Sequence, residues 1–117
     1  MQFYLVYIRE AHPSDGWHPD KTIVVKDPTT DTERAEVAGT CVANLNLPFP
    51  AVLDKMDNKV GLDYDAWPDR FFLIDPAGVI AWHSAPGPAG FKPDLLRQAI
   101  FDLLAAPAPA EPTPPTR

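Results

Sequence analysis

Two side chains that could exchange protons stand two residues apart near the start of the chain, Glu10 and His12. They follow an aromatic and β-branched run over residues 2–8, which predicts a strand covered on both faces. In α/β folds the residues just beyond a strand end line the ligand crevice. A carboxylate beside an imidazole fixes its tautomer and raises its pKa, which suits the pair to proton transfer near neutral pH. A hydrogen-bond network that anchors the loop is the alternative, and the spacing leaves both interpretations open.

Aromatic residues are the second group with a bearing on binding. Trp17, Trp67 and Trp82 could together form a wall for a ring-shaped substrate. Aromatic side chains of small α/β domains commonly pack in the core, so packing is the competing interpretation.

Cys41 is the single cysteine of the chain, which excludes an internal disulfide and a CxxC redox pair. It lies four residues from both Val37 and Leu45 on the apolar face of a predicted helix, so we expect it to be buried and structural. The three histidines show no metal-ligand spacing. We therefore expect no metal and no bound cofactor.

Composition limits the classes of partner. A chain of 117 residues holds one domain at most. A net charge of -6 argues against nucleic acid and against an anionic membrane surface. No apolar run approaches the roughly 20 residues of a membrane span, and no secretory signal leads the sequence, so a cytoplasmic location is the default expectation. The oligomeric state stays open, a homodimer included.

The elements that must position these residues alternate between strand and helix. In chain order, the sequence predicts a strand at 2–8, a β-type run at 22–26, and a helix from a capping box of Thr30 and Glu33 to about Asn44. A strand at 51–53 and a loose helix at 57–66 follow. The last predicted elements are two strands at 70–74 and 79–82 around a tight turn, and a helix from Pro93 to about Leu104. Residues 1–105 are expected to form the domain and 106–117 a disordered Ala/Pro-rich tail.

This order of elements predicts a thioredoxin-like α/β fold, with a mixed sheet flanked by helices. Such folds place a proline with a cis peptide bond just before the final hairpin. Trp67-Pro68 occupies that place, although an ordinary trans proline that ends a helix is the alternative.

Four segments carry a resemblance to a known family. They are Val6-Tyr7-Ile8-Arg9-Glu10-Ala11-His12-Pro13-Ser14-Asp15-Gly16-Trp17, Asp54-Lys55-Met56-Asp57-Asn58, Tyr64-Asp65-Ala66-Trp67-Pro68-Asp69-Arg70, and Gly87-Pro88 followed by Pro93 and a helix. In this order they resemble the iodothyronine deiodinases, whose fold is thioredoxin-like. The resemblance runs from about Phe3 to Leu104 and is closer to bacterial deiodinase-like proteins than to the vertebrate enzymes.

The resemblance implies an oxidoreductase in which a thiol or selenol attacks a halogen or a disulfide. It implies a small aromatic or thiol/disulfide substrate and an external thiol reductant. It assigns Tyr7, Glu10 and His12 to a proton relay, and we expect Trp17, Trp67 and Pro68 to contact the substrate.

The chain departs from the family pattern in several places. The family's cysteine or selenocysteine lies on a strand-to-helix turn upstream of the Tyr7 strand, so we expect the first β-α unit to be missing here. Vertebrate members have a second histidine near the position of Pro28 and a basic residue near that of Pro86. Both departures argue against thyroid hormone as the substrate.

Two other functions stay open. One is a thioredoxin-like disulfide or peroxide reductase, and the other is a non-catalytic thioredoxin-like module whose Pro-rich tail tethers it to a partner. An in-frame cysteine codon or UGA shortly upstream of Met1 would favour an enzyme.

Overall fold

The computed structural model describes residues 1–16, 19 and 24–107. Its elements in chain order are β1 (Leu5–Tyr7), α1 (Asp31–Leu45), β2 (Ala51–Leu53), α2 (Lys59–Asp63), β3 (Phe72–Ile74), β4 (Ile80–His83) and α3 (Pro93–Ala105). The fold is α/β, in the predicted order.

Two predicted elements differ from the structure. The loose helix expected over 57–66 is confined to α2, Lys59–Asp63. The β-type run at 22–26 is not a strand over residues 24–26, and its first two residues lie outside the described part of the chain. The tail is outside it too, from residue 108 onward.

The four strands form two small sheets instead of the one sheet predicted. β1 pairs with β2 in parallel, with Leu5 opposite Ala51. β3 pairs with β4 antiparallel, with Leu73 opposite Trp82. Parallel and antiparallel pairing are therefore both present, but no described strand joins β1 to β3.

One face of β1 is exposed. Tyr4 just before β1 is 60% exposed and Val6 within it is 42% exposed, whereas Leu5 and Tyr7 on the other face are half-buried. The prediction of a strand covered on both faces is wrong for the described residues.

The start of α1 follows from its sequence. The Thr30 hydroxyl accepts a hydrogen bond from the backbone N–H of Glu33 at 3.1 Å, as the capping box predicts. The Glu33 carboxylate reaches one residue further back than expected, to the N–H and hydroxyl of Thr29 at 2.7 and 2.9 Å. The helix ends at Asn46, which adopts the left-handed conformation common at helix C-termini.

The inward face of α1 is the one that the apolar spacing predicts, with Arg34 added to it, because Val37, Ala38, Cys41 and Val42 are all buried or half-buried. Arg34 and Ala38 are its buried residues, whereas Leu45 is 62% exposed. Cys41 is half-buried, which corrects the expectation of a buried thiol. Arg34 turns its guanidinium inward toward the segment after β2, where it binds backbone carbonyls.

The hairpin and the last helix agree with the sequence. The Asp75 carboxylate accepts hydrogen bonds from the N–H groups of Ala77 and Val79, both at 2.9 Å, and Gly78 has a φ of 82° that suits glycine. α3 opens with Pro93 in its first turn and packs against β3 and β4.

The described part of the chain has a small core. Among its described hydrophobic residues, Ala38 and Leu73 form the buried core, with exposed fractions of 3% and 7%. No helix among the described residues is long and apolar enough to cross a membrane.

Candidate functional site

A large apolar cleft separates the two sheets. It has a volume of about 1670 Å³ and is lined by all of β1 and β3, by one residue of β2 and by one face of α3. Tyr7, Glu10 and Pro68, three of the predicted site residues, line it.

Tyr7 and Glu10 lie at and just beyond the end of β1. The Tyr7 carbonyl accepts a hydrogen bond from the N–H of Asp54 at 2.9 Å, which fixes the strand end against β2. The Tyr7 hydroxyl is buried and has no hydrogen-bond partner among the described residues. The Tyr7 phenol is thus a buried group without a partner among the described residues, and Glu10 is a half-buried residue that lines the cleft.

The surroundings of Glu10 favour its protonated form. Partial burial raises the pKa of Glu10 above its ordinary 4.5, and the negative charge of Asp27 raises it further. Arg34 opposes this shift with its positive charge. Glu10 therefore keeps its proton to a higher pH than an exposed glutamate does.

Trp67 joins the hairpin side of the molecule to the end of β1. Its indole N–H donates to the Glu10 carbonyl at 3.3 Å, and the Arg9 guanidinium lies 4.8 Å from the ring centroid. The Trp67–Pro68 peptide bond is cis. Pro68 lines the cleft, but Trp67 does not and is 40% exposed.

His12 lies on the exposed turn that follows Glu10 and is not among the cleft-lining residues. This turn is held by the segment before α1. The N–H of Ser14 donates to the Val25 carbonyl at 2.7 Å, and the N–H of Asp27 donates to the Asp15 carboxylate at 2.9 Å.

The other two tryptophans do not add to this cleft in the described structure. Trp17 lies outside the described residues. Trp82 is half-buried in β4 and lines a separate cavity of about 370 Å³ against α3. Its position supports the packing interpretation of Trp82.

Arg34 and Asp27 influence Glu10 and were both missed in the sequence. Arg34 is 2% exposed. The sequence does contain a signal for the burial of Arg34. The cap fixes where α1 begins, and Arg34 then lies one turn before Ala38 on the apolar face of that helix. The sequence contains no such signal for Asp27, because its charge acts on Glu10 from a position 17 residues further along the chain.

The Asp-x-Met-x-Asn segment is a structural unit beside the site. Arg34 donates to the carbonyls of Asp54 and Lys55 at 3.0 and 2.7 Å and to the Asn58 side chain at 2.9 Å. The buried Asp54 carboxylate accepts the N–H groups of Val60 and Gly61 at 3.1 and 2.8 Å. This network fixes the chain between β2 and α2.

Glu10 can therefore supply a proton in the cleft, because its carboxyl group has a raised pKa. Cys41 is on α1 and does not line the cleft. No group of three potential metal ligands occurs in the described ranges.

Comparison with known proteins places these features in one family. The profile described as iodothyronine deiodinase matches residues 1–102. Thyroxine 5-deiodinase of Rattus norvegicus is 34% identical over 99 residues, covering 83% of this chain and 32% of the relative. The human thyroxine 5-deiodinase is 33% identical over the same length. Type I iodothyronine deiodinase of Xenopus laevis is 30% identical over 92 residues, covering 79% of this chain and 36% of the relative. The chain thus spans about a third of the length of these relatives, and it belongs to the iodothyronine deiodinase family.

Proposed function

We propose that the chain is part of a deiodinase-like oxidoreductase of thioredoxin-like fold, which carries out reductive dehalogenation or related thiol/selenol redox chemistry. The observation that carries this proposal is the half-buried carboxyl group of Glu10, which lines an apolar cleft at the end of β1 in a member of this family. The relatives are named for deiodination, so a small halogenated aromatic compound is the substrate class proposed here.

Reductive dehalogenation needs a nucleophile and a proton. A thiolate or selenolate attacks the halogen and takes it from the ring, while the electron pair of the carbon–halogen bond stays on carbon. A proton then replaces the halogen on that carbon. An external thiol, with a second thiol, reduces the chalcogen–halogen bond, which releases halide, regenerates the nucleophile and forms a disulfide.

Glu10 is the proposed proton donor. Burial and the charge of Asp27 raise the pKa of its carboxyl group, which therefore stays protonated to higher pH. Tyr7 and His12 are the proposed relay to solvent, with the Tyr7 phenol in the buried part and His12 on the exposed turn. Pro68 would contact the substrate inside the cleft, and Trp67 would hold the Glu10 backbone.

The nucleophile is proposed to come from outside these 117 residues. Cys41 is the chain's single cysteine and does not line the cleft. The order of a parallel strand pair, an antiparallel hairpin and a closing helix supports a thioredoxin-like domain whose first β-α unit is contributed by another segment.

The test compares this chain with a protein extended upstream by the codons that precede Met1. Both are assayed with an iodinated phenol and a dithiol reductant. We expect turnover only from the extended protein, a loss of about 10²–10⁴-fold in the rate of proton-dependent dehalogenation on Glu10→Gln, and no change on Cys41→Ser.

Two results would contradict this proposal. One is turnover by the 117-residue chain that Cys41→Ser abolishes, because Cys41 would then be the nucleophile. The other is an extended protein that reduces disulfides or peroxides but leaves the iodinated phenol intact, which would favour the reductase alternative.

A further inference from the structure

Arg70 is an enclosed arginine whose guanidinium lacks close partners. Its side chain is 14% exposed, and its Nε is buried without a hydrogen-bond partner among the described residues. Arg34 also has a buried Nε without a partner, but its Nη atoms donate three hydrogen bonds, at 3.0, 2.7 and 2.9 Å. Because an enclosed guanidinium without matching acceptors is costly, Arg70 differs from Arg34 in needing an acceptor.

The carboxylates near Arg70 do not fill this role. Its Nη1 lies 3.7 Å from the Asp65 carboxylate, which is longer than a hydrogen bond, and the Asp65 side chain is 92% exposed. An ion pair this open to water contributes little. Glu10 lines the same cleft as Arg70, but the charges that shift the pKa of Glu10 are those of Asp27 and Arg34. Neither Asp65 nor Glu10 is thus a close counter-ion for Arg70.

The large cleft between the two sheets has unmet donors among its lining residues. Arg70 lines it from the segment between Pro68 and β3. The Tyr7 hydroxyl belongs to a second lining residue and is also buried without a partner among the described residues. Folded proteins leave few such groups unpaired, and water, an ion or a ligand commonly explains them. The cleft therefore lacks an acceptor, which a ligand would supply.

The charges of the lining indicate which acceptor fits. A carboxylate only accepts hydrogen bonds, and its two oxygens match the fork of a guanidinium. The cleft is also lined by Glu10, Asp69 and Asp75, and the chain has a net charge of -6. A doubly charged phosphate would meet more repulsion there than a single carboxylate does. A monoanion is therefore the favoured ligand.

The walls of the cleft indicate the body of this ligand. Phe71 and Phe72 follow Arg70 directly in the chain, and both line the cleft together with Tyr64 and Phe91. The Phe71 and Phe91 ring centroids are 5.1 Å apart, and Phe72 meets Tyr64 edge-on at 4.9 Å. Aromatic rings pack favourably against such side chains. The lining therefore favours an aromatic ring that carries a carboxylate.

We propose that Arg70 is the anion-binding residue of this cleft and that it pairs with the carboxylate of an aromatic monoanion. The pairing gives the enclosed guanidinium the acceptor that it lacks, while the ring packs against the aromatic lining. This inference narrows the proposed substrate class to an acidic halogenated aromatic compound, and it rests on the proposed function only for the reaction that follows binding. Binding itself requires neither a nucleophile nor a reductant.

The test measures the affinity of the chain for 4-iodobenzoate and for 4-iodobenzamide by isothermal titration calorimetry at neutral pH. The two compounds share their ring and size but differ in charge. Octanoate is the aliphatic comparison. No reductant is present, so binding is separated from turnover. NMR follows the Nε–Hε resonance of Arg70 in parallel, because this resonance reports directly on a new acceptor.

We expect the natural chain to bind the carboxylate about 10–100-fold more tightly than the amide, because a charge-assisted pair is stronger than a neutral hydrogen bond. Arg70→Gln should remove this preference and leave the affinity for the amide within about twofold. Arg70→Lys should retain part of the preference, since it keeps the charge but loses the fork. Asp65→Asn should strengthen binding of the carboxylate by removing a competing charge.

Arg97→Gln is the matched control, because Arg97 is exposed on α3, contacts the Phe101 ring and does not line the cleft. It should change neither affinity. Thermal unfolding checks the fold of Arg70→Gln, and its midpoint should not fall, because the change removes a charge without a close counter-ion. If this variant does unfold, the two compounds and the Arg70 resonance of the natural chain still decide the question.

Four results would overturn the proposal. Equal affinities for carboxylate and amide, or an Arg70 resonance that does not move on titration, would show that the cleft does not bind the anion at Arg70. A preference that survives in Arg70→Gln would place the anion elsewhere. Tighter binding of octanoate than of 4-iodobenzoate would make the ligand a fatty acid. None of these results decides whether Glu10 donates a proton, and absence of turnover in the assay above leaves these affinities unaffected.

Discussion

The guanidinium of Arg34 donates a hydrogen bond from Nη2 to the side-chain oxygen of Asn58 at 2.9 Å, which joins α1 to the residue that precedes α2. The same guanidinium binds the Asp54 and Lys55 carbonyls through Nη1. A charged side chain that is 2% exposed thus holds the segment between β2 and α2 in place.

Arg34→Met should destabilise the fold strongly. The change keeps an unbranched apolar stem but removes three hydrogen bonds and leaves the buried Asp54 carbonyl and the part-buried Lys55 carbonyl without this donor. We expect a loss of about 3 kcal/mol in the free energy of unfolding, measured by urea denaturation. Arg97→Met is the matched control, because Arg97 is exposed and contacts only the Phe101 ring in the described structure. Equal losses in the two variants would contradict this role of Arg34.

Asp54→Asn should weaken α2 without unfolding the molecule. The buried carboxylate accepts two backbone N–H groups, and an amide presents only one accepting oxygen to them. We expect a loss of about 1–2 kcal/mol, with faster amide exchange at Gly61. Asp57→Asn, which alters an exposed carboxylate that accepts only the Lys59 N–H, should cost much less.

Glu10 should make the fold less stable as the pH rises. Its pKa is raised in the folded state, so between the ordinary value of 4.5 and the raised value the folded chain holds a proton that the unfolded chain has lost. The free energy of unfolding therefore falls as the pH rises from the ordinary to the raised pKa. Above the raised pKa the fold bears the whole cost of an ionised, half-buried Glu10 carboxylate. Glu10→Gln should remove this fall, and its stability relative to the natural chain should increase with pH. Parallel pH profiles for the two proteins would contradict the raised pKa.

Asp27→Asn should lower the pKa of Glu10. Burial is the larger cause of the shift and remains, while the repulsion between the two carboxylates is removed. An NMR titration of the Glu10 side-chain carboxyl carbon measures the change. Glu36→Gln is the control, since Glu36 is an exposed carboxylate on α1 that is not among the causes of the Glu10 shift. An unchanged or higher pKa in Asp27→Asn would show that the two carboxylates do not interact.

Cys41 should react with a thiol reagent more slowly than an exposed cysteine on the same helix. It is half-buried, whereas its neighbour Thr40 is exposed. The comparison protein combines Cys41→Ser with Thr40→Cys, which moves the thiol by one residue. We expect several-fold slower labelling at position 41 under native conditions and equal rates in urea. Equal native rates would show that Cys41 is open to solvent and would revive it as a candidate nucleophile.

Features governed by near neighbours were predictable from the sequence. The capping box at Thr30, the Asp75 turn with Gly78 and the Pro93 start of α3 each depend on residues within about one helical turn or one β-turn. The order of strands and helices followed from the same local patterns, and family membership followed from motifs that are contiguous in the chain.

The candidate site shows the limit of this reasoning. Glu10 was identified because it lies just beyond a recognisable strand, whereas Tyr7 was assigned by the family resemblance, and both residues line the cleft. His12, which was assigned with them, lies on the turn after Glu10 and does not line the cleft. The spacing between Glu10 and His12 gives only their separation along the chain. Where a loop residue lies relative to a cleft depends on the contacts that the loop makes.

The sequence by itself determined the elements, their order and the family, because these depend on short-range propensity and contiguous motifs. Only the tertiary structure decided that the strands form two sheets with a cleft between them, that Arg34 is buried whereas Leu45 is exposed, and that Asp27 acts on Glu10. Each of these depends on groups far apart in the chain, whose meeting is governed by burial, hydrogen bonding and charge in three dimensions.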